Sequence, residues 1–215
     1  MLINLIQQGN IEIFIILIPC LVFSLCFHEF AHGFIAYKLG DNTAYRYGRL
    51  TLNPISHLDI MGSFMLLIVG FGWAKPVPVN VHNFKNPRID MMKVAFAGPV
   101  SNLFLALIGG FFFRFIINNN LLFNNSIILN ALVIFININI ILAVFNMIPI
   151  EPLDGSKIFG GFISRKNPEL AFKLQIYGPK ILLGLILFGI VTGFSIIWLI
   201  MSPFVELLFG LFTGL

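Results

Sequence analysis

Long apolar runs divided by short polar stretches make up most of the chain. Four of these runs are long enough for a transmembrane helix, which needs about 20 apolar residues, and they cover residues 11–39, 91–117, 127–148 and 181–201. Pro19 predicts a kink in the first run, and Gly98-Pro99 predicts a break near the start of the second. Residues 1–10 are predicted to form a short interfacial lead-in. The apolar run after Pro203 fits either a tilted continuation or a partial return into the membrane.

The least helical part of the sequence lies between the first two runs, at residues 40–87. Val77, Val79 and Val81 alternate with proline or polar residues at a period of two, which predicts a strand at the edge of a sheet. Residues 61–73 are apolar but too short to cross comfortably, and basic residues flank both of their ends. A true crossing would put one basic flank on the wrong side of the membrane. The pattern therefore predicts a re-entrant, partly β-stranded stretch.

Composition also indicates a membrane protein, since 58% of residues are hydrophobic and only 10% are charged, against about 25% charged in soluble domains. The net charge of +4 is concentrated in loops. It predicts membrane orientation rather than binding to nucleic acid, with residues 40–93 and 154–180 in the cytoplasm and 118–126 outside. The predicted fold is an all-α polytopic membrane protein, one domain over residues 1–215 with about four to six membrane segments.

The first apolar run contains an H-E-x-x-H motif formed by His28, Glu29 and His32. On a helix, histidines four residues apart leave the same face, so both imidazoles can bind one Zn²⁺. Glu29 lies beside them, where a carboxylate can take a proton from a zinc-bound water. The motif could occur by chance, but ionisable residues inside a membrane segment are costly and usually functional. The sequence therefore predicts a zinc site in the membrane.

A catalytic zinc usually has three protein ligands, so one more ligand is required. The candidates are His57, Asp59, His82, Glu151 and Asp154. Asp154 lies at the inner end of the third apolar run, which antiparallel packing would bring close to the two histidines. Asp is equally a favoured N-cap, and a helix could begin at the following glycine. From the residues alone, ligand and cap are equally good interpretations of Asp154.

The sequence contains three motifs: His28-Glu29-Phe30-Ala31-His32-Gly33, Ala97-Gly98-Pro99-Val100-Ser101-Asn102, and Asn146-Met147-Ile148-Pro149-Ile150-Glu151-Pro152-Leu153-Asp154-Gly155. They occur in the order seen in the site-2 protease family of intramembrane zinc metalloproteases, and the sequence therefore resembles that family. Two further stretches resemble the small compact branch that lacks PDZ and CBS domains: Arg49-Leu50-Thr51-Leu52-Asn53-Pro54 with His57 and Asp59, and Gly72-Trp73-Ala74-Lys75-Pro76-Val77-Pro78-Val79-Asn80. The sequence departs from the family pattern at Val81, where many members have proline, and at Glu151, where the turn is usually apolar. Both departures bear on substrate fit more than on the chemistry.

The resemblance implies a three-helix catalytic core at about residues 11–155, followed by C-terminal membrane segments at about residues 176–215. It also implies that His28, His32 and Asp154 bind one Zn²⁺ per chain and that Glu29 is the catalytic base.

Several other residues are assigned roles in handling the substrate. The family likeness favours Asn146 as a catalytic donor to an oxyanion. Asn102 could bind the substrate backbone, or it could simply hydrogen-bond between helices. His57 and Asp59 could contact substrate or orient a ligand, although a loop cap explains them equally well. Val79 lies in the predicted edge strand, which could pair with an extended substrate segment.

The function predicted from these features is that of an intramembrane zinc metalloprotease, which cleaves peptide bonds in or near transmembrane segments of membrane proteins. Its expected partners are a transmembrane protein or peptide substrate and the lipid bilayer, with no nucleic acid. The expected location is a prokaryotic cytoplasmic membrane, with the active site toward the cytoplasmic side. The alternative is a membrane metal transporter or sensor that uses the same His and Asp site, but the second and fourth runs carry few polar residues for a transport path.

Overall fold

A computed structural model describes residues 9–69, 72–119, 121 and 126–215, with the side chains of residues 69 and 126 left out. Most of the predicted interfacial lead-in, residues 1–8, lies outside this described part, and so does much of the predicted external loop at residues 118–126. The described residues form eight α-helices: α1 Ile11–Lys38, α2 Thr43–Arg46, α3 Ile60–Val69, α4 Pro87–Asn118, α5 Ser126–Asn146, α6 Asp154–Lys166, α7 Pro168–Thr192 and α8 Ile196–Thr213. Two short 3₁₀ helices, Pro54–Ser56 and Val81–Asn83, lie in the loops.

Five helices are long and apolar enough to cross a membrane, namely α1, α4, α5, α7 and α8. This confirms the all-α, multi-pass class and falls within the predicted number of segments. The central helix is α4, which packs against α1, α5, α6 and α8. The main apolar core lies between α4, α5 and α8 and consists of Ala106, Phe113, Ile136, Ile140, Met201 and Val205.

The predicted break at Gly98-Pro99 is wrong, because α4 continues through both residues as one helix. Pro99 is fully buried within the helix. A proline in a membrane helix removes one backbone donor, and packing among neighbouring helices makes this tolerable. The glycine and proline therefore shape the helix surface without ending the helix.

The predicted fourth span at residues 181–201 is also wrong as a single helix. The chain leaves α7 at Gly193, which has a left-handed φ of +72° that favours glycine. It starts α8 after Ser195, whose hydroxyl accepts the Trp198 N–H at 3.1 Å and so caps the new helix. Pro203, predicted to separate two segments, lies inside α8.

The C-terminal end of α8 lies beside the C-terminal half of α4. The Arg114 guanidinium donates to the Leu211 carbonyl, and Gly110 is so close to Phe212 that an added Cβ would lie 2.9 Å from its side chain. Earlier in α8, Met201 and Val205 share a cluster with Ala106 of α4. The helices α4 and α8 therefore run parallel, and their C-terminal ends lie on the same side of the protein.

The short apolar stretch at residues 61–73 contains α3, and residues 70–71 lie outside the described part. Its two flanks lie together, since Leu58 and Ala74 form an antiparallel bridge and the Lys75 N–H donates to the His57 carbonyl at 2.8 Å. A stretch whose ends meet returns to the side on which it began. This arrangement is the one that a re-entrant path requires, and the path itself stays a prediction.

The predicted β-strand content is wrong for the described residues, where this isolated bridge is the nearest feature to a strand. Side chains hold the backbone of residues 75–80 in place of a neighbouring strand. Arg49 donates to the carbonyls of Lys75 and Pro76 at 2.8 and 3.3 Å, and Asp41 accepts the Asn80 N–H at 2.7 Å. We call residues 75–80 the anchored segment.

Candidate metal centre

Two helices bring the three predicted ligands together. His28 and His32 lie one turn apart on α1, and Asp154 is the first residue of α6. His28 Nε2 and His32 Nε2 each lie 3.1 Å from Asp154 Oδ2, and the two Nε2 atoms are 3.0 Å apart. All three side chains are buried, with 4–8% of each residue exposed. In the described part of the chain, no other group of His, Cys, Asp or Glu residues has this ligand spacing.

The turn before α6 places Asp154 and is packed tightly. Leu153 is the N-cap of α6, and the Asp154 carboxylate makes no capping bond, so the helix-cap interpretation does not describe its position. An added Cβ at Gly155 would lie 2.5 Å from the Ile148 carbonyl oxygen, and one at Gly178 of α7 would lie 2.8 Å from the Glu151 backbone nitrogen. These glycines let the backbone approach closely on both sides of the turn, which fixes the carboxylate.

The second ring nitrogen of each histidine faces an oxygen acceptor. His28 Nδ1 lies 2.6 Å from Asn102 Oδ1, and His32 Nδ1 lies 2.7 Å from the Val94 carbonyl. An oxygen acceptor places the proton on Nδ1, because a neutral imidazole carries only one. Both Nε2 lone pairs then point toward the Asp154 carboxylate. Such outer hydrogen bonds are typical of histidines that bind metals.

The donor set fits a zinc ion. Two imidazole nitrogens and one carboxylate oxygen are zinc ligands, and three protein ligands leave a fourth position for water. Bonds of about 2.0–2.1 Å in a tetrahedral arrangement separate the ligand atoms by about 3.3 Å, close to the distances found here. Three electron-rich atoms facing one another in a buried site repel unless a cation lies between them. The geometry therefore favours a bound metal.

Gly98 of α4 packs directly against this centre. An added Cβ there would lie 2.5 Å from His28 Nε2 and closer still to His32 Nε2. A methyl group would therefore occupy the space beside both ligand atoms, which the glycine leaves open.

We expect Gly98→Ala to remove bound zinc and, with it, metal-dependent activity, because the methyl group overlaps both Nε2 atoms. Zinc per chain, measured on the purified variant, checks this. Gly160→Ala is the matched control, since an added Cβ there meets no atom within 4 Å. Full zinc in Gly98→Ala would show that the metal lies elsewhere.

Glu29 faces the anchored segment. Its Oε2 accepts the Val77 N–H at 2.9 Å. Gly33 permits this approach, because an added Cβ there would lie 3.1 Å from Val77 Cγ1. The carboxylate next to His28 is thus in contact with the stretch that the sequence predicts to meet the substrate.

Asp41 holds the other end of the anchored segment to the end of α1. It is 0% exposed and accepts hydrogen bonds from Thr43, Asn80 and Asn83. Burial alone would raise the pKa of the Asp41 carboxyl, but these four hydrogen bonds outweigh burial and lower its pKa below the ordinary value. Asp41 is therefore ionised at neutral pH, and this clamp weakens only as the pH falls through that lowered pKa.

Three other predicted residues make hydrogen bonds to groups other than the three ligands. The His57 ring donates to the Thr51 carbonyl at 2.7 Å, and Asp59 accepts the Gly62 N–H at the start of α3. Asn146 donates to the carbonyl one turn earlier, that of Leu142. These three bonds are local loop or helix contacts, and the catalytic or substrate roles of His57 and Asn146 stay predictions.

Two residues assigned to substrate have mainly interior contacts. Asn102 is 0% exposed and bridges helices, which is the alternative that the sequence left open for it. The Val79 side chain packs against an apolar cluster around Ala36, Phe84 and Val94. Sequence reasoning missed Gly98 as part of the metal centre and also missed Asp41. Asn139 is a further buried amide in a membrane run, and such a residue is itself a signal.

The chain is similar to proteins described as candidate zinc metalloproteases. YwhC of Bacillus subtilis is 38% identical over 204 residues, which cover 93% of this chain and 91% of YwhC. Rip2 of Mycolicibacterium smegmatis is 32% identical over 165 residues, 74% of this chain and 60% of Rip2. MJ0611 of Methanocaldococcus jannaschii is 31% identical over 150 residues, 69% of this chain and 71% of MJ0611. No protein-family model matches the chain, and no solved structure does.

Proposed function

The chain belongs to the site-2 protease family of zinc metalloproteases, and on this basis we propose that it is an intramembrane zinc endopeptidase. Its substrates are membrane proteins that it cleaves in or near their transmembrane segments. The observation that carries the proposal is the convergence of His28, His32 and Asp154 on one point, with Glu29 next in sequence to the first ligand.

The residues of the chain divide the chemistry between them. His28, His32 and Asp154 would hold Zn²⁺, which when bound lowers the pKa of a water and polarises the scissile carbonyl. Glu29 takes the proton from the attacking water and passes it to the leaving amine. The outer bonds of the histidines to Asn102 and Val94 hold both rings in the ligand orientation during the reaction.

Cleavage tests the function directly. Purified protein in detergent should cut a transmembrane test peptide, and a zinc chelator should stop the reaction. An unfolded soluble peptide without an apolar segment is the matched control substrate. Failure to cut either peptide with zinc present would contradict the proposal. Preference for the soluble peptide would contradict its intramembrane part.

The anchored segment is the proposed place where substrate binds. A helical substrate hides its peptide bonds, so part of it must unwind before attack. The Val79 side chain is packed inward, while no hydrogen bond to its backbone occurs among the described residues. Its N–H and carbonyl can therefore pair with an extended substrate strand, with Glu29 close by at Val77.

We expect Val79→Pro to lower cleavage several-fold or more without lowering zinc content, because proline removes the backbone N–H. Cleavage rate and bound zinc are measured on the same sample. Val79→Ala keeps the N–H and should retain most of the activity. Equal rates for Val79→Pro and wild type would exclude pairing at this residue.

The packing of α8 against α4 predicts the topology. With residues 118–126 outside, the parallel end of α8 is outside as well, so the chain crosses an odd number of times between α5 and its last residue. Since α8 lies in the core, α7 is the helix that does not cross. The basic loops then lie in the cytoplasm, which puts the metal centre nearer that side.

We expect cysteines at Asn42 and Lys85 to react from the cytoplasmic side and cysteines at Asn119 and Leu215 to react from the outer side. The measurement uses an impermeant thiol reagent on a variant without Cys20 and Cys26. Labelling of positions 215 and 85 from the same side would show that α7 crosses the membrane.

A further inference from the structure

A chain of buried polar groups connects the metal centre to α5. Ser24 of α1, Asn102 of α4 and Asn139 of α5 are each 0% exposed. Asn102 Nδ2 donates to Asn139 Oδ1 at 2.9 Å and to the Ser24 carbonyl at 3.3 Å. Asn139 Nδ2 in turn donates to Ser24 Oγ and to the Phe135 carbonyl, both at 2.9 Å. The Ser24 hydroxyl donates to the Cys20 carbonyl at 2.7 Å. Three helices therefore meet through side chains that lipid and water do not reach.

Backbone carbonyls fix the direction of these hydrogen bonds, because a carbonyl oxygen can only accept. The Cys20 carbonyl takes the Ser24 hydroxyl proton, which leaves Ser24 Oγ as an acceptor. The Phe135 carbonyl and Ser24 Oγ both require the NH₂ group of Asn139, so this amide cannot flip. Its oxygen must therefore face α4.

The fixed position of the Asn139 oxygen determines the orientation of the Asn102 amide. Asn102 must present its NH₂ group to Asn139 Oδ1, so its own oxygen faces His28 Nδ1 at 2.6 Å. His28 then carries its proton on Nδ1 and keeps Nε2 free. Of the two tautomers of neutral imidazole, this is the one that can bind a metal through Nε2.

We propose that Asn139, supported by Ser24, is a positioning residue for the metal centre, which selects the Nε2-binding tautomer and orientation of His28. This inference rests on the proposed zinc site. Asn139 touches neither metal ligand nor substrate and acts through Asn102. His32 needs no such help, because its Nδ1 faces the Val94 backbone carbonyl directly.

The chain contains a matched control two residues away on the same helix. Asn137 donates to the Val133 carbonyl of its own helix at 3.0 Å, as Asn139 donates to that of Phe135. Asn137 has no side-chain hydrogen bond to α1 or α4 among those described. Replacing each amide with leucine in turn separates the loss of a helix-backbone contact from the loss of the network.

The experiment measures zinc affinity of the full-length protein in detergent by competition with a chelator, below the unfolding temperature. We expect Asn139→Leu to bind zinc several-fold more weakly, by no more than the about 10–100-fold that follows loss of a direct outer partner of a ligand, because Asn139 acts through Asn102. Asn137→Leu should bind zinc as wild type does. With Co²⁺ as the probe metal, the visible spectrum should change in Asn139→Leu and stay that of wild type in Asn137→Leu, because the bands report ligand geometry.

Ser24→Ala removes one hydroxyl and is the variant to use if Asn139→Leu does not fold. It should weaken zinc binding in the same direction, by a smaller factor. Wild-type affinity and an unchanged Co²⁺ spectrum in the folded Asn139 or Ser24 variant would overturn the inference while leaving the protease proposal intact. A wild-type protein that binds no zinc would overturn the proposed function and the inference together.

Discussion

Replacing Glu29 with glutamine is expected to lower cleavage about 10²–10⁴-fold, the usual contribution of a general base, while zinc stays bound. Glutamine keeps the size and shape of the side chain and cannot accept the proton. None of the three ligand atoms is changed, so metal content should equal that of wild type. The Val77 N–H loses its carboxylate partner in this variant, but the carbonyl oxygen of the glutamine amide can still accept that hydrogen bond.

Cleavage rate and zinc content, measured on one preparation, test this expectation. Glu12→Gln is the matched control, because Glu12 lies on the same helix in the exposed first turn. It should cleave at the wild-type rate. Cleavage by Glu29→Gln at the wild-type rate would remove Glu29 from the proposed mechanism and leave the general base to another residue.

Replacing Asp154 with alanine is expected to remove zinc and activity together. The carboxylate lies 3.1 Å from both Nε2 atoms and is the one oxygen among the three donors. Loss of a ligand should weaken binding by more than the about 10–100-fold that follows loss of an outer partner. A residue that only capped a helix would instead lower stability by about 1 kcal/mol and keep the metal.

Zinc affinity separates these outcomes, and two controls accompany it. Asp59→Ala removes a carboxylate that, within the described part of the chain, accepts the Gly62 N–H and no other hydrogen bond, and it should keep zinc. Lys157→Ala removes the cation 3.8 Å from Asp154 Oδ1 and should keep it as well. Full zinc in Asp154→Ala would move the third ligand to another residue, with Glu151 and His57 tested next.

The sequence predicted the parts of the fold that depend on local pattern. The length of the apolar run located the first membrane helix almost to the residue, and the spacing of His28 and His32 follows from helix geometry. Asp154 could be predicted as a candidate ligand because a short turn after the third apolar run brings the chain back toward α1. Its choice over four other candidates needed the resemblance, since a carboxylate before glycine also fits a cap.

The misplaced elements depend on contacts between distant residues. Gly98-Pro99 indicated a break because proline disturbs an isolated helix, but burial among other helices keeps α4 continuous. The Val77–Val81 alternation indicated a strand, yet side chains of Arg49 and Asp41 anchor the backbone at Lys75, Pro76 and Asn80 where the sequence suggested a neighbouring strand. The Asn139 network involves residues over 35 positions apart, and local pattern carries no information about such pairs.

Titration of the metal-free protein with zinc, with cleavage of a transmembrane peptide measured at each addition, tests the central claim most directly. The buried site of His28, His32 and Asp154 can hold one ion, so activity should rise in proportion to added zinc and reach its maximum at one zinc per chain. Activity that is already full before zinc is added, or a protein that takes up one zinc and still cuts nothing, would contradict the account.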